Sequence, residues 1–341
     1  MVIHYKCPSC GDDMTFDSDS GKLSCPSCGR KEEIESFPDD FISMSFSDDE
    51  AREYHCENCG AVLITDQDTI ATRCSFCGAG VVLADRLTGT LAPKMVIPFS
   101  ISREEAEKAF KKWCRHGILC PSGFVSADRI KSITGMYVPF WMYDLNSRVQ
   151  VSGIGTKIRT YRQGDYLYTE TSYFDIYRDI NLDYIKVPVD ASKKMDDEYM
   201  DLLEPYNYDK LMEFKTPYLA GYIAEKYNYS DEDLLPRVRT KIEKYIDSFV
   251  HSTCIGYSTV NFTHRNIRTE KKRAFYVLLP VWMLIYDYRG KEYVFAMNGQ
   301  TGKVVGSPPI SLAKVAAWFF GTAAGSFLLM RLISFAMGAG F

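Results

Sequence analysis

A chain of 341 residues that is 46% hydrophobic is long enough for a sizeable core and for two or three domains. Its formal net charge of −4 hides two unlike parts: residues 1–92 hold 17 Asp and Glu against 7 Lys and Arg, and the rest of the chain holds 27 against 33. An acidic head argues against a nucleic-acid machine, which needs a basic face, and no leading segment resembles a secretory signal, so reduced thiols are expected.

The first elements in the chain are the stretches CPSCGDDMTFDSDSGKLSCPSC at 7–28 and CENCGAVLITDQDTIATRCSFC at 56–77, related by a constant offset of 49 residues. Each carries two CxxC pairs on what reads as two hairpin knuckles, the spacing that lets four thiolates close a tetrahedral shell around Zn²⁺. Two structural zinc sites are therefore expected, one on Cys7, Cys10, Cys25 and Cys28 and the other on Cys56, Cys59, Cys74 and Cys77. Four sulfur ligands leave no open position for water, so neither site is expected to be catalytic. Gly11, Gly29, Gly60 and Gly78 end the knuckles where a positive φ turns amides toward sulfur. His4 and His55 precede the cysteines and are redundant as ligands. The ribbons are placed at 1–35 and 52–88 with a linker at 36–51. Each tetrathiolate site adds a formal charge of about −2. That favours ribbons that project outward and dock proteins over ribbons that hold phosphates.

Residues 93–310 form the body. Ser102 and Glu105 make a capping box ahead of an apolar face at Ala106, Ala109, Phe110 and Trp113, ending at Gly117. YVPFWMYDLN at 137–146 is echoed by LLPVWMLIYDY at 278–288, with Pro139 matching Pro280 and Trp141 matching Trp282. The second half has its own capped helix, with Ser230 and Asp233 ahead of Val238, Ile242, Tyr245, Ile246 and Phe249. Antiparallel strands are expected over the Tyr- and Ile-rich stretch 165–190, and a further helix over about 191–204. The fold class is α+β: two tandem zinc ribbons, a duplicated antiparallel body and one C-terminal helix.

Little in the body suggests catalysis. NGQTGKVVG at 298–306 fails as a phosphate loop: Met297 stands where the first glycine is needed and Val304 where Ser or Thr should hold Mg²⁺, so the stretch reads as a hairpin turn. VSGIGTK at 151–157 lacks a third glycine and reads as a strand bend. His251 with Cys254, and Cys114 and Cys120, are more simply buried side chains than a thiol centre. The chain is not expected to be an enzyme, and neither a small-molecule substrate nor a nucleic acid is expected.

From Val315 to Phe341 the only charge is Arg331. The sixteen residues to Met330 span about 24 Å as a helix, so a membrane crossing has to run past Arg331, whose long stem reaches the far headgroups or pairs with an acid on a partner helix. A tail anchor over 311–341, with the bulk of the chain cytoplasmic, follows from the missing leader. Gly321 and Gly325 form a GxxxG pattern, and the basic run HRNIRTEKKR at 264–273 is read as a loop able to meet lipid headgroups.

MVIHYKCPSCGDDM, SADRIKSITGMYVPFWM, AGYIAEKYNY, LLPVWM and FAMNGQTGKVVG together resemble a family of bacterial single-pass membrane proteins with an N-terminal zinc ribbon of the transcription-factor-IIB type. The resemblance implies a non-enzymatic component of an envelope-stress system. Its implied partners are a flotillin- or stomatin-like scaffold, a coat protein similar to phage-shock protein A, and a second integral membrane protein. The eight cysteines are the only site residues it transfers. Expected, then, is a membrane-anchored adaptor, with a nucleic-acid-binding ribbon protein or a lipid or small-ligand sensor as the alternatives.

Overall fold

The structure is a computed structural model and describes residues 2–37, 52–56, 62–65, 68–74, 79–83, 92–116, 119–121, 133–288 and 290–336. In chain order these form β1 (Val2–Ile3), β2 (Thr15–Asp17), β3 (Lys22–Ser24), β4 (Lys31–Glu32), β5 (Arg52–His55), β6 (Val62–Thr65), β7 (Thr69–Arg73), β8 (Gly80–Leu83), β9 (Met95–Val96) and α1 (Arg103–His116). Then come β10 (Thr134–Gln163), β11 (Tyr166–Asp190), α2 (Asp197–Leu203), β12 (Met212–Glu213), β13 (Ile223–Glu225), α3 (Leu235–Ser252), β14 (Thr259–Tyr288), β15 (Lys291–Asn298), β16 (Val304–Val305) and α4 (Leu312–Ala336). The chain is a mixed α+β protein. One large sheet runs β1-β8-β7-β13-β10-β14-β15-β16, with β11 beside β10 and with β9, flanked by β12, beside β14.

At the centre, β10 and β14 pair antiparallel over most of their length. Val138 and Leu279, which the sequence echo equates, face each other directly, and Pro139 and Pro280 sit one step to either side. Both halves run short strand, helix, long strand, returning strand: β9-α1-β10-β11 and β13-α3-β14-β15. Each short strand lies parallel to the long strand of the other half, β13 on β10 and β9 on β14. The tryptophans are reciprocal as well. Trp282 donates its indole N–H to the carbonyl of Ile101, and Trp141 donates to Tyr229, each just before the capping serine of the other half's helix. Both serines exchange hydrogen bonds with the acid three residues on.

Several expectations meet a different outcome. The ribbons do not project as separate heads. β7 and β8, from the stretch expected to form a second ribbon, enter the large sheet through Ala71 opposite Ala224, and β1 pairs with β8. In the first ribbon Phe16 donates its N–H to Ala220 (3.0 Å), and Tyr5 its hydroxyl to Thr216 (2.7 Å). Tyr5, Met14, Phe16, Leu23 and Ile34 share one cluster with Phe99, Tyr137 and Trp282. The reason is size: a ribbon of some 35 residues cannot bury large apolar side chains by itself. The contact is close enough that a Cβ on Gly80 would lie 2.9 Å from the amide nitrogen of Gly221, itself at φ +86°.

The stretch 165–190 is one long strand rather than several, because β10 supplies a continuous partner from Phe140 to Gln163. The basic run at 264–273 is not a loop but part of β14, and four of its cations are engaged: Arg265 with Glu243 and Asp247, Lys271 with Asp231 and Glu232, Lys272 with Glu270, Arg273 with Asp144. The helix expected at 191–204 is only α2, capped by Asp196. On α3 the buried face is Val238, Ile242, Ile246 and Val250, while Tyr245 and Phe249 point outward. NGQTG is the expected hairpin turn between β15 and β16, tied by the carboxamide of buried Asn298 to the amides of Gln300 and Thr301. Gly117 and the linker beyond residue 37 lie outside the described residues.

α3 is latched to the body by charge. Arg237 meets Asp190 at 2.7 Å, Asp197 at 2.8 Å and Asp201 at 3.3 Å, while Lys241 meets Asp201 at 2.9 Å and Glu204 at 2.6 Å. The Asp190 side chain is fully buried, and one of its oxygens has no partner. Burial pushes both Asp190 and Glu204 up to about 6, against the opposing pull of Arg237 and Lys241. Because both carboxyls titrate higher folded than unfolded, the stability they contribute is complete below about pH 4 and is lost as pH rises through about 6. Arg237→Met strands a buried carboxylate and is expected to cost about 3 kcal/mol at pH 8. The loss should shrink at pH 5.5, where Asp190 takes up a proton; thermal denaturation of the two proteins at both pH values measures it.

Candidate metal centre

The first ribbon is two knuckles joined by the β2-β3 hairpin. In each, the cysteine that opens the CxxC pair anchors a tight turn. Cys7 N–H donates to the Asp12 carbonyl and Gly11 N–H to the Cys7 carbonyl, both at 2.8 Å; Cys25 N–H donates to Arg30 at 2.8 Å and Gly29 N–H to Cys25 at 2.9 Å. Gly11 and Gly29 hold φ of +74° and +73°, the left-handed region in which only glycine is unstrained. The sulfurs of Cys7, Cys10, Cys25 and Cys28 all lie within 4.8 Å of one another, with Cys7 3.5 Å from Cys28 and Cys10 3.5 Å from Cys25. Four sulfurs each about 2.3 Å from one ion would stand roughly 3.8 Å apart, so the cluster is the right size for Zn²⁺. Cys7 and Cys25 are buried, whereas Cys10 and Cys28 face outward.

Cys7, Cys10 and Cys28 affect one another's ionisation. Burial alone would raise Cys7, but the amides of Cys10 and Ser9 directed at its sulfur outweigh that and bring it down to about 7. The Asp12 amide favours ionised Cys10, yet the sulfurs of Cys25 and Cys28 push it up to about 12, and Cys28 also rises. One thiolate forms readily and its neighbours resist, which is how four close thiols behave until a dication balances them. Tetrathiolate zinc would supply a rigid crosslink and no chemistry.

Of the second expected set, Cys56 and Cys74 are buried together with Tyr54, Val81 and Leu83. Cys74 N–H donates to the Ala79 carbonyl at 2.8 Å, the same step of five residues that Cys7 and Cys25 make. Cys59 and Cys77 lie outside the described residues, so one four-sulfur cluster is seen among the described residues. The remaining cysteines are buried: Cys114 and Cys120 in the main core, and Cys254 with its sulfur 3.7 Å from Thr253. His251 stands edge-on to Phe262. The buried His4 beside Asp13 gave no signal in sequence beyond its place before Cys7.

At the other end of the chain, Leu312–Ser334 is long and apolar enough to cross a membrane, and none of it is buried against the rest of the protein. Arg331 lies over the Phe327 ring at 5.9 Å.

Ribbon and helix together define a class: a zinc-ribbon protein with, among the described residues, one candidate membrane span. Residues 5–40 match the TFIIB zinc-binding ribbon family. Over all 341 residues, the whole of both chains, the sequence is 63% identical to the uncharacterized protein YdjG of Bacillus subtilis (strain 168), and the chain belongs to the same family as YdjG. No solved structure matches it.

Proposed function

We propose that the chain is a membrane-anchored zinc-ribbon adaptor, not an enzyme, that gathers soluble scaffold and stress-response proteins at the cytoplasmic face of the cell membrane. The observation that carries this reading is α4: a helix with no polar face and no protein cover has no reason to persist in water. Behind it stands a head in which zinc fixes an acidic ribbon onto the body, leaving Asp19, Glu33 and Glu35 exposed. The repeated knuckle bond at Cys74 supports a second Zn²⁺ site on Cys56, Cys59, Cys74 and Cys77, and the reciprocal tryptophans support a duplicated body. The proposed partners are those the family resemblance implies: a flotillin- or stomatin-like scaffold, a phage-shock-protein-A-like coat protein and a second integral membrane protein.

Asp19→Lys with Glu33→Lys in the full chain tests the docking surface. Capture of the coat protein from solubilised membranes is expected to fall about tenfold, a loss of ~1.4 kcal/mol, with zinc content unchanged. Undiminished capture would remove the ribbon from the interface. Tight binding of DNA by the native chain at physiological salt would favour the nucleic-acid reading instead.

A further inference from the structure

The most exposed part of the head is an arm. β10 alone runs 30 residues, about 100 Å, and its outer half is flanked only by β11 and the first residues of β14. Side chains alternate between the two faces of this arm. α3 covers one face, packing Val238, Ile242, Ile246 and Val250 onto Tyr143, Leu145, Val149 and Val151. On the opposite face lie Ile154 and Ile158 of β10 and Tyr173 and Tyr177 of β11, between 45 and 72% exposed. Tyr173 pairs with Thr156, so its ring sits diagonally between the two isoleucines, and Tyr177 pairs with Ser152 on the far side of Ile154. Threonines fill the gaps, and Leu167 continues the stripe to the turn beside Arg162. One acid, Asp175, lies within the stripe, opposite Ile154 and between Tyr173 and Tyr177. The other face of the tip carries Lys157 and Arg159, the latter over the Tyr161 ring at 5.7 Å. Residues 156–168 thus hold three cations against one acid, Asp165.

We propose that this arm is a second membrane contact: its Ile/Tyr/Thr face lies on the headgroup layer of an anionic bilayer, which the net positive charge of the tip favours and where Arg162, on that same face, reaches the phosphates. The proposal rests on the membrane reading of α4. Two features favour lipid over a protein partner. A chain tethered by its own span stays within reach of a bilayer, and an apolar face rich in Tyr on a basic tip is the composition of interfacial segments. The run at 264–273 does not compete for this role, because Arg265, Lys271 and Arg273 are held in ion pairs.

The test places a photoreactive benzophenone side chain at Tyr173, at Tyr177, at Tyr245 on the outer side of α3, or at Phe320 in α4. The full chain is reconstituted singly into nanodiscs of phosphatidylcholine with about 30% phosphatidylglycerol. Lipid adducts at 173 and 177 are expected to exceed those at 245 at least about fivefold, and to fall several-fold with Arg159→Gln plus Arg162→Gln. Phe320 should label in every case. If Phe320 labels and 173 and 177 stay at the level of 245, the arm does not touch lipid and only this inference falls. Unchanged adducts in the arginine variant would overturn the choice of an anionic surface. Chain-to-chain adducts in place of lipid adducts, in discs holding two copies, would assign the face to a second molecule. If Phe320 forms no lipid adduct, the membrane reading fails and takes the arm with it.

Discussion

Chelating zinc from the full chain, or replacing Cys25 with Ser, is expected to lower the melting temperature of the whole head in one cooperative transition. Structural Zn²⁺ binds zinc-finger peptides with an apparent ~10–16 kcal/mol at pH 7, far more than a ribbon of this size could replace. Here the loss would not stay local. Tyr5, Met14, Phe16 and Leu23 belong to the cluster that contains Phe99, Tyr137 and Trp282, so melting the ribbon uncovers the centre of the body. For a head of this size each kcal/mol moves the melting point by about 2–4 °C, and a drop of more than about 10 °C is expected. Calorimetry that showed the body melting unchanged after a separate ribbon transition would mean that the shared core has no energetic weight. Acid should act in the same direction as chelation, because the ligands must be thiolates: zinc loss is expected as pH falls and the thiolates take up protons.

Deleting residues 312–341 is expected to move the protein completely from a carbonate-resistant membrane fraction to the supernatant. In the proposed anchoring the span would contribute the whole of the stable attachment, since the arm alone would supply only weak, salt-sensitive contact. A milder change makes the same point: Leu329→Asp places a carboxylate in the apolar run at a cost of about 3 kcal/mol and should impair insertion. Arg331 lies near the far end, so Arg331→Leu should leave insertion intact. If that variant instead lost a co-purifying membrane protein, an acid on the partner's helix would be indicated.

What the sequence conveyed follows from which interactions are local. The knuckles were legible because a CxxC pair and its following glycine fix one turn and little else has to be known. The capping boxes at Ser102 and Ser230 and the turn at 298–302 were legible for the same reason. The placement of the ribbons was not, because Phe16 meets Tyr218 and Ala71 meets Ala224 across more than 150 residues, and no local periodicity records such partners. Charge misled in one place: the cations at 264–273 looked like a loop because their acids, Asp231, Glu232, Glu243 and Asp247, lie on and just before α3. The apolar stripe of the arm was hidden too. Ile154, Ile158, Tyr173 and Tyr177 come from two strands and form one surface only when those strands pair.

Metal closure of the ribbon holds the head together, and X-ray absorption at the zinc edge of the purified full chain reads it directly. Two zinc ions per chain, each with four sulfurs at about 2.3 Å, are predicted, with one lost in Cys25→Ser. A chain purified without metal, or with oxygen and nitrogen ligands in place of sulfur, would contradict it.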